Sequence, residues 1–270
     1  MAGGPIPVLI QPNEFIVLGG AAIGSLIVSA PGKVRSRLIH AFKASFKSES
    51  PTKQDYVELL ALLYQIFQLV RREGVLALES HVAEPHNSSL FKSVPSLTHR
   101  KVALNFLVEG LKQMVDGCTV EELAMMFEAE RDTLEAEEHQ PIGLIRTTGD
   151  ALPGLGIVAA VLGIIITMGA LNGTPEEIGH HVAAALVGTF LGILLCYGVL
   201  QPLATNVEIQ GQAMMRYLDT IRNGLVAAAR GANPAVAIEL ARRAIFSDER
   251  PSSEELDAAF AALRNTKEGD

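Results

Sequence analysis

Two apolar runs, Ala151–Leu171 and Val182–Val207, contain no Asp, Glu, Lys, Arg or His, and the threonines well inside them are Thr167 and Thr189. A threonine hydroxyl can hydrogen-bond water or a neighbouring carboxyl group, but it does not titrate. If ions cross here, the titrating group must come from another chain. On its own, Thr189 reads as a hydroxyl bonded back to its own helix, the commoner fate of a threonine there. Other reactive chemistry is sparse. Cys118 falls in polar sequence and Cys196 inside the second run, so both read as free thiols rather than a pair. His180 and His181 sit in a polar turn without metal-ligand spacing, and neither a metal nor a cofactor is expected. No nucleophile–base arrangement or phosphate-binding loop stands out, which argues against an enzyme. The glycines of LGGAAIG lack a strand–helix context and read as helix packing rather than a dinucleotide site.

The elements that hold these residues follow from hydropathy. A bilayer core of roughly 30 Å takes about 20 apolar residues in a helix. The two runs, joined by the polar stretch Asn172–His181, therefore form a hairpin that crosses a membrane twice. A third run, Phe15–Ala30, approaches spanning length when Pro5–Gln11 are added, although Glu14 interrupts it. No Lys or Arg precedes this run, and Pro31 follows Val-Ser-Ala, so it is a retained span rather than a cleaved signal. Composition agrees: of 270 residues, 49% are apolar and 19% charged, which fits a membrane protein with a sizeable polar part. A net charge of −8 without a large basic face excludes nucleic acid as a main partner.

Orientation follows from basic residues beside the spans. Lys33, Arg35, Arg37, Lys43, Lys47 and Lys53 follow the first run, with Glu49 the only acid among them. That side is cytoplasmic. The turn Asn172–His181 carries Glu176 and Glu177 without Lys or Arg and faces outward. The fold class is thus an all-α integral membrane protein, a helical transmembrane bundle with a helical cytoplasmic loop and tail. Its expected segments are 1–31, 32–150, 151–205 and 206–270. In the loop, Leu59, Leu62, Leu63, Ile66, Phe67 and Val70 mark one apolar helical stripe, which Gly74 loosens before Val75–Val82. Thr119 with Glu122 is a capping box opening a helix to about Glu138, and Pro95 and Pro141 punctuate the loop. Pro234 marks a break in the tail. Ser252 with Glu255 opens a last helix, Glu254–Leu263. Small residues four apart, Gly20 with Gly24, Ala159 with Gly163, and Ala184 with Gly188 and Gly192, let membrane helices approach closely and point to an oligomer.

Several stretches resemble one family. These are Gln11-Pro12-Asn13-Glu14 leading into GGAAIGSLIVSAPGK, then LLALLYQIFQLVRREGVLALES, then DALPGLGIVAAVLGII with VGTFLGILLCYGVLQPLA, and finally SDERPSSEEL. In this order they resemble the MotA family, the A subunit of the flagellar stator. That family has four spans. Three are visible here, and Met1-Ala2-Gly3-Gly4 resembles the turn after a missing first span. Either the start is set one span too late or the chain is a shortened variant. The layout of three spans is also that of the related ExbB/TolQ proteins, so a non-flagellar ion-driven transducer is the alternative.

The resemblance implies a ring, of five copies, around a MotB-like subunit whose membrane helix supplies an ion-binding Asp. It implies torque on the rotor protein FliG and residence in the bacterial inner membrane. By resemblance, Pro153 and Pro202 are the coupling prolines, a role that competes with simple helix termination at the membrane edge. Thr189 resembles the pore-facing threonine. Ala160 stands where sodium-driven relatives carry a threonine, and without a side-chain oxygen there a proton is the expected ion. Arg71 and Glu79 match the rotor-contacting charges. On one continuous helix they would lie within about 80° of each other.

Overall fold

The computed structural model describes residues 10–45, 50–92, 94–169 and 174–267. The turn at Met1–Gly4, Lys47, Glu49 and Asn172 lie outside them. Every regular element among the described residues is helical. In chain order these are α1 (Pro12–Ser29), α2 (Gly32–Ser45), α3 (Lys53–Glu73), a 3-10 turn (Val75–Leu78), α4 (Glu79–Ala83), α5 (Ser89–Lys92), α6 (Pro95–His99), α7 (Lys101–Val115) and α8 (Val120–Gly169). Then come α9 (Pro175–Leu195), a π-helical turn (Cys196–Leu200), α10 (Gln201–Ala229), α11 (Pro234–Arg242) and α12 (Ser253–Lys267). Three helical stretches are long and apolar enough to cross a membrane: Pro12–Ser29, Val120–Gly169 and His181–Ala229.

One of these helices corrects the sequence reading. Thr119 caps α8 as expected: Glu122 N donates to Thr119 Oγ1 at 3.2 Å, and Thr119 N donates back to Glu122 Oε2 at 2.8 Å. The helix does not end near Glu138, however, but runs 50 residues to Gly169 with Pro141 and Pro153 inside it. A proline in a helix interior costs on the order of 3 kcal/mol. At Pro141 the following residues Ile142, Leu144 and Ile145 are all buried, and their packing outweighs that local penalty. In α3 the expected stripe is buried from Leu59 to Phe67, and Thr52 and Asp55 form a further capping box. The helix stops at Gly74, which has φ of 86°, a left-handed value that glycine adopts without steric cost.

The chain divides into two compact units. In residues 1–49 and 136–210, Leu18 of α1 packs with Val187, Leu191 and Leu155. A second cluster joins Ile142, Ile145, Ala204 and Val207, with Leu38 and Ala41 of α2 against it. Much of the remaining apolar surface is bare: Val28 is 88% exposed, Leu186 65% and Ile165 61%. Such a surface is what hydrocarbon or neighbouring chains cover.

In residues 50–135 and 211–270, α3, α7 and the far part of α10 bury one core that includes Leu59, Leu63, Phe106, Tyr217 and Ile221. Tyr64 stacks on Phe260 with centroids 4.2 Å apart, and Lys53 pairs with Glu255 at 2.7 Å. Glu255 N donates to Ser252 Oγ, the predicted cap of α12, which extends to Lys267 rather than Leu263. Pro234 opens a helix rather than merely breaking one: it follows Asn233, whose side chain accepts from Ala235 N at 3.2 Å.

Candidate functional site

The uncharged hairpin is held together by backbone contact. A β-carbon at Gly192 would lie 2.5 Å from Leu152 O, one at Gly156 would lie 2.8 Å from Gly188 O, and one at Gly163 would lie 2.9 Å from Ala185 Cβ. These distances leave no room for a methyl group, so α8 and α9 touch through their main chains. Gly163, Gly188 and Gly192 each stand where a β-carbon would meet a neighbouring helix, and Gly156, in the same region of α8, does so too. Gly20 and Gly24 face open space within this chain. Nothing lies within 4 Å of a β-carbon at either, because α1 meets α9 through Leu18 and turns these glycines the other way.

Thr189 sits at this contact. Its hydroxyl reaches across to Gly156 O at 3.4 Å, a long hydrogen bond, rather than bonding the carbonyl of its own preceding turn. Thr167 does the opposite, donating to Gly163 O on its own helix at 2.8 Å. The two hydroxyls that the sequence could not separate are therefore different: Thr167 is spent locally, and Thr189 is loosely held and half-buried. Ala160 is half-buried on α8 and offers no oxygen. Beside Thr189, Glu14 of α1 comes to within 2.6 Å of the β-carbon position of Gly188, and its Oε2 is buried without a hydrogen-bond partner. Sequence reasoning passed over Glu14 as an interruption of an apolar run. Glu14 stands in the first turn of α1, and only the burial of its carboxyl against Gly188 sets it apart.

One of the two prolines follows an irregularity, and the other lies in unbroken helix close to it. Pro202 lacks an N–H, and the turn immediately before it, Cys196–Leu200, is π-helical. A wider turn accommodates the carbonyl that an α-helix would drive into the proline ring. Pro153 lies inside α8 rather than at its start, which removes the first-turn explanation for it. By the same rule Pro153 deprives Gly149 of its intrahelical donor. Gly149 packs directly against the π-turn, since its β-carbon would sit 3.3 Å from Leu200 Cβ and 3.9 Å from Cys196 Sγ. Gln201 Nε2 donates to Asp150 Oδ1 at 2.8 Å across the same junction. Prolines 49 positions apart in sequence thus each remove one backbone donor at the same junction.

Arg71 and Glu79 do not share a helix. Gly74 ends α3 three residues after Arg71, and Glu79 opens α4 beyond the 3-10 turn. Both side chains are exposed, and neither forms an ion pair among the described residues. Arg71 borders an open groove of about 350 Å³ with Tyr64, Gln68, Arg72, Asn233 and Pro234. In the same unit burial raises the phenol pKa of Tyr217, whose ring lies 5.6 Å beneath the Arg100 guanidinium. Arg100 also donates to Asp55 at 2.9 Å, so these charges are tied into the core and unavailable for recognition.

Residues 1–74 match the Motility protein A N-terminal family and residues 99–220 the MotA/TolQ/ExbB proton channel family. Motility protein A of Escherichia coli is 35% identical over 99% of this chain and 91% of its own length. Chemotaxis protein LafT of Vibrio parahaemolyticus is 36% identical over 96% of this chain and 92% of its own. Among solved structures, C. jejuni MotAB superposes with a TM-score of 0.76 over 93% of this chain and 91% of that one, at 23% identity. The flagellar MotAB stator complex from Bacillus subtilis gives 0.72 over 88% and 86%, at 24% identity. At those identities the structures establish the likeness of fold.

Proposed function

This chain belongs to the Motility protein A family, and from that premise we propose that it is the A subunit of a flagellar stator. With a MotB-like subunit it forms a proton path in the membrane and turns ion flow into torque. The observation that carries the reading is the half-buried Thr189 in a hairpin whose two runs contain no Asp, Glu, Lys, Arg or His, with the Glu14 carboxyl of α1 beside it. A wall of this kind suits a carboxylate supplied by the partner's helix, because a charge buried in hydrocarbon is costly and its protonation removes that cost. Each proton crossing under 100 mV releases about 2.3 kcal/mol, roughly the energy of two or three ordinary hydrogen bonds. A transducer driven by so little needs a pliant element, and the π-turn before Pro202, with Pro153 close to it, supplies one.

In this reading Thr189 hydrogen-bonds water or the partner's Asp, and Ala160 leaves sodium without a ligand. Segments 32–150 and 206–270 face the cytoplasm from the inner membrane, where Arg71 and Glu79 meet the rotor protein FliG by charge recognition. The bare apolar surfaces and the open face at Gly20 and Gly24 accept further copies, five by resemblance, and the MotB-like subunit. The chain transduces energy without catalysing a covalent reaction.

The test is motility of a strain lacking its stator A subunit, supplied with this chain and its own B subunit. Swimming that survives replacement of sodium by potassium at constant pH is expected. Loss of swimming in potassium would make sodium the ion. Insertion and B-subunit binding without any swimming would favour a non-flagellar transducer of the ExbB/TolQ type.

A further inference from the structure

Between the last turns of α3, α7 and α10 and the turn that leads into α11 lies a cleft of about 340 Å³, lined by Ile66, Phe67, Val70, Met114, Ala228 and Ala232. It adjoins the open groove beside Arg71 and shares Arg71, Asn233 and Pro234 with it. The volume lies at the lower end of the roughly 300–1,000 Å³ of clefts that accept ligands. The gap has a local cause. Gly231, with φ of 80°, turns the chain after α10, and Ala228 and Ala232 on either side of it are too short to fill the space over Ile66 and Phe67, which are buried. Met114 is half-buried, and its flexible thioether can follow the shape of whatever enters.

The charge around this apolar space has one sign. Arg71 and Arg72 are exposed, form no ion pair among the described residues, and border the groove; no acid lines either the groove or the cleft. Glu73, next in the chain, lines neither. An exposed ion pair changes affinity by less than about five-fold. Burying one large apolar side chain changes it by about ten-fold or more. Arg71 and Arg72 can therefore select an acidic partner but hold it weakly, and the apolar cleft beside them is where grip is available. We propose that this cleft seats one large apolar side chain of an acidic segment on the rotor protein, while Arg71 and Arg72 pair with the acids flanking it. The inference rests on the reading that sets Arg71 against the rotor and adds to it an apolar anchor. The rival occupant is the acidic end of this chain, Glu268 and Asp270, since α12 stacks Phe260 on Tyr64 at the edge of the groove.

The test uses the full chain with its B subunit in swimming cells, with Gln68 in the groove replaced by the photocrosslinker p-benzoylphenylalanine. An adduct with the rotor protein is expected. Ala228→Leu and Ala232→Leu, which fill the cleft without changing charge, should each lower its yield about ten-fold at equal protein level. Arg72→Gln should lower it less than five-fold, and Ala235→Leu, exposed and outside the cleft, should leave it unchanged. Full yield in both filling variants overturns the anchor and leaves the rotor contact standing. Should either filling variant also lose its B subunit, Met114→Gln, which keeps the side-chain length and makes the cleft polar, decides the matter: an undiminished yield overturns the proposal. An adduct to residues 264–270 of this chain in place of the rotor assigns the cleft to the tail. Absence of any rotor adduct, with Arg71→Glu and Glu79→Lys swimming like the parent, overturns the rotor contact itself.

Discussion

Replacing Gly192 by alanine is the sharpest probe of how the hairpin is built. The added methyl would stand 2.5 Å from Leu152 O, 3.2 Å from Leu152 C and 3.3 Å from Gly156 Cα. The first distance is 0.9 Å short of the 3.4 Å at which ordinary van der Waals contact begins, and all three atoms are backbone. No rotamer can relieve the clash, so α8 and α9 must separate by nearly that amount or tilt. Overpacking of this kind costs about 1–3 kcal/mol, against which alanine's better helix propensity returns about 1 kcal/mol. Gly188→Ala meets a side-chain atom instead, Glu14 Oε2 at 2.6 Å, which can swing away. Gly20→Ala and Gly24→Ala meet nothing within this chain. Thermal unfolding of the purified subunit in detergent, followed by far-ultraviolet circular dichroism, should rank Gly192→Ala as the least stable, with Gly188→Ala milder. Gly20→Ala should be unchanged or slightly more stable. If Gly192→Ala melts with the parent chain, direct backbone contact is not what joins the two helices.

The two threonines should part company: Thr189→Val is expected to abolish swimming with normal protein levels, whereas Thr167→Val, which loses only a bond to its own helix, should swim. Equal effects would show that the across-helix contact of Thr189 is incidental. Pro202→Ala should let the π-turn relax toward α-helix, slowing amide hydrogen exchange across residues 196–202 while torque falls; faster exchange would contradict the role given to the proline. Glu79→Lys or Arg71→Glu should lower torque without changing insertion, because neither side chain has an ion-pair partner among the described residues, and failed insertion would make them structural. The carboxyl groups of Glu122 and Glu255 are held below their ordinary pKa, chiefly by the Thr119 backbone N–H for the first and by Lys53 for the second. A depressed pKa contributes stability that is present above the unfolded value of 4.5 and lost as pH falls through the folded value. Exchange at the starts of α8 and α12 should therefore quicken only below that pH, and Glu122→Gln should remove the effect at α8.

Much of this architecture was legible in the sequence because it rests on local signals. The Thr119–Glu122 and Ser252–Glu255 boxes each place an acceptor three residues before a donor and need nothing from the rest of the chain. The stripe from Leu59 to Phe67 is likewise a periodicity. What escaped depended on tertiary contact. Pro141 reads as a stop, and only the burial of the isoleucines behind it explains why α8 continues. The helix α7 carries Leu104, Leu107 and Leu111 at helical spacing, yet no capping residue announced it. Gly74 gave warning of a break, but its positive φ was needed to separate Arg71 from Glu79. Gly156 lies four residues before Ala160 in a segment rich in small residues, and nothing in the spelling says which of them touches Gly188.

The π-turn at Cys196–Leu200 also bears on what lengths of chain this helix will tolerate. An ordinary α-helix advances 100° per residue, so deleting one residue rotates every later side chain out of phase with its contacts. A π-turn already holds one residue more than the α-helical register requires. A single deletion among Val199, Gly198 or Tyr197 can be absorbed by reversion to α-helical bonding, leaving Ala204 and Val207 in step with Ile142 and Ile145. The same deletion at Leu194 or Thr205 has no such slack to draw on. The turn is thus the place where this chain can lose a residue and remain itself.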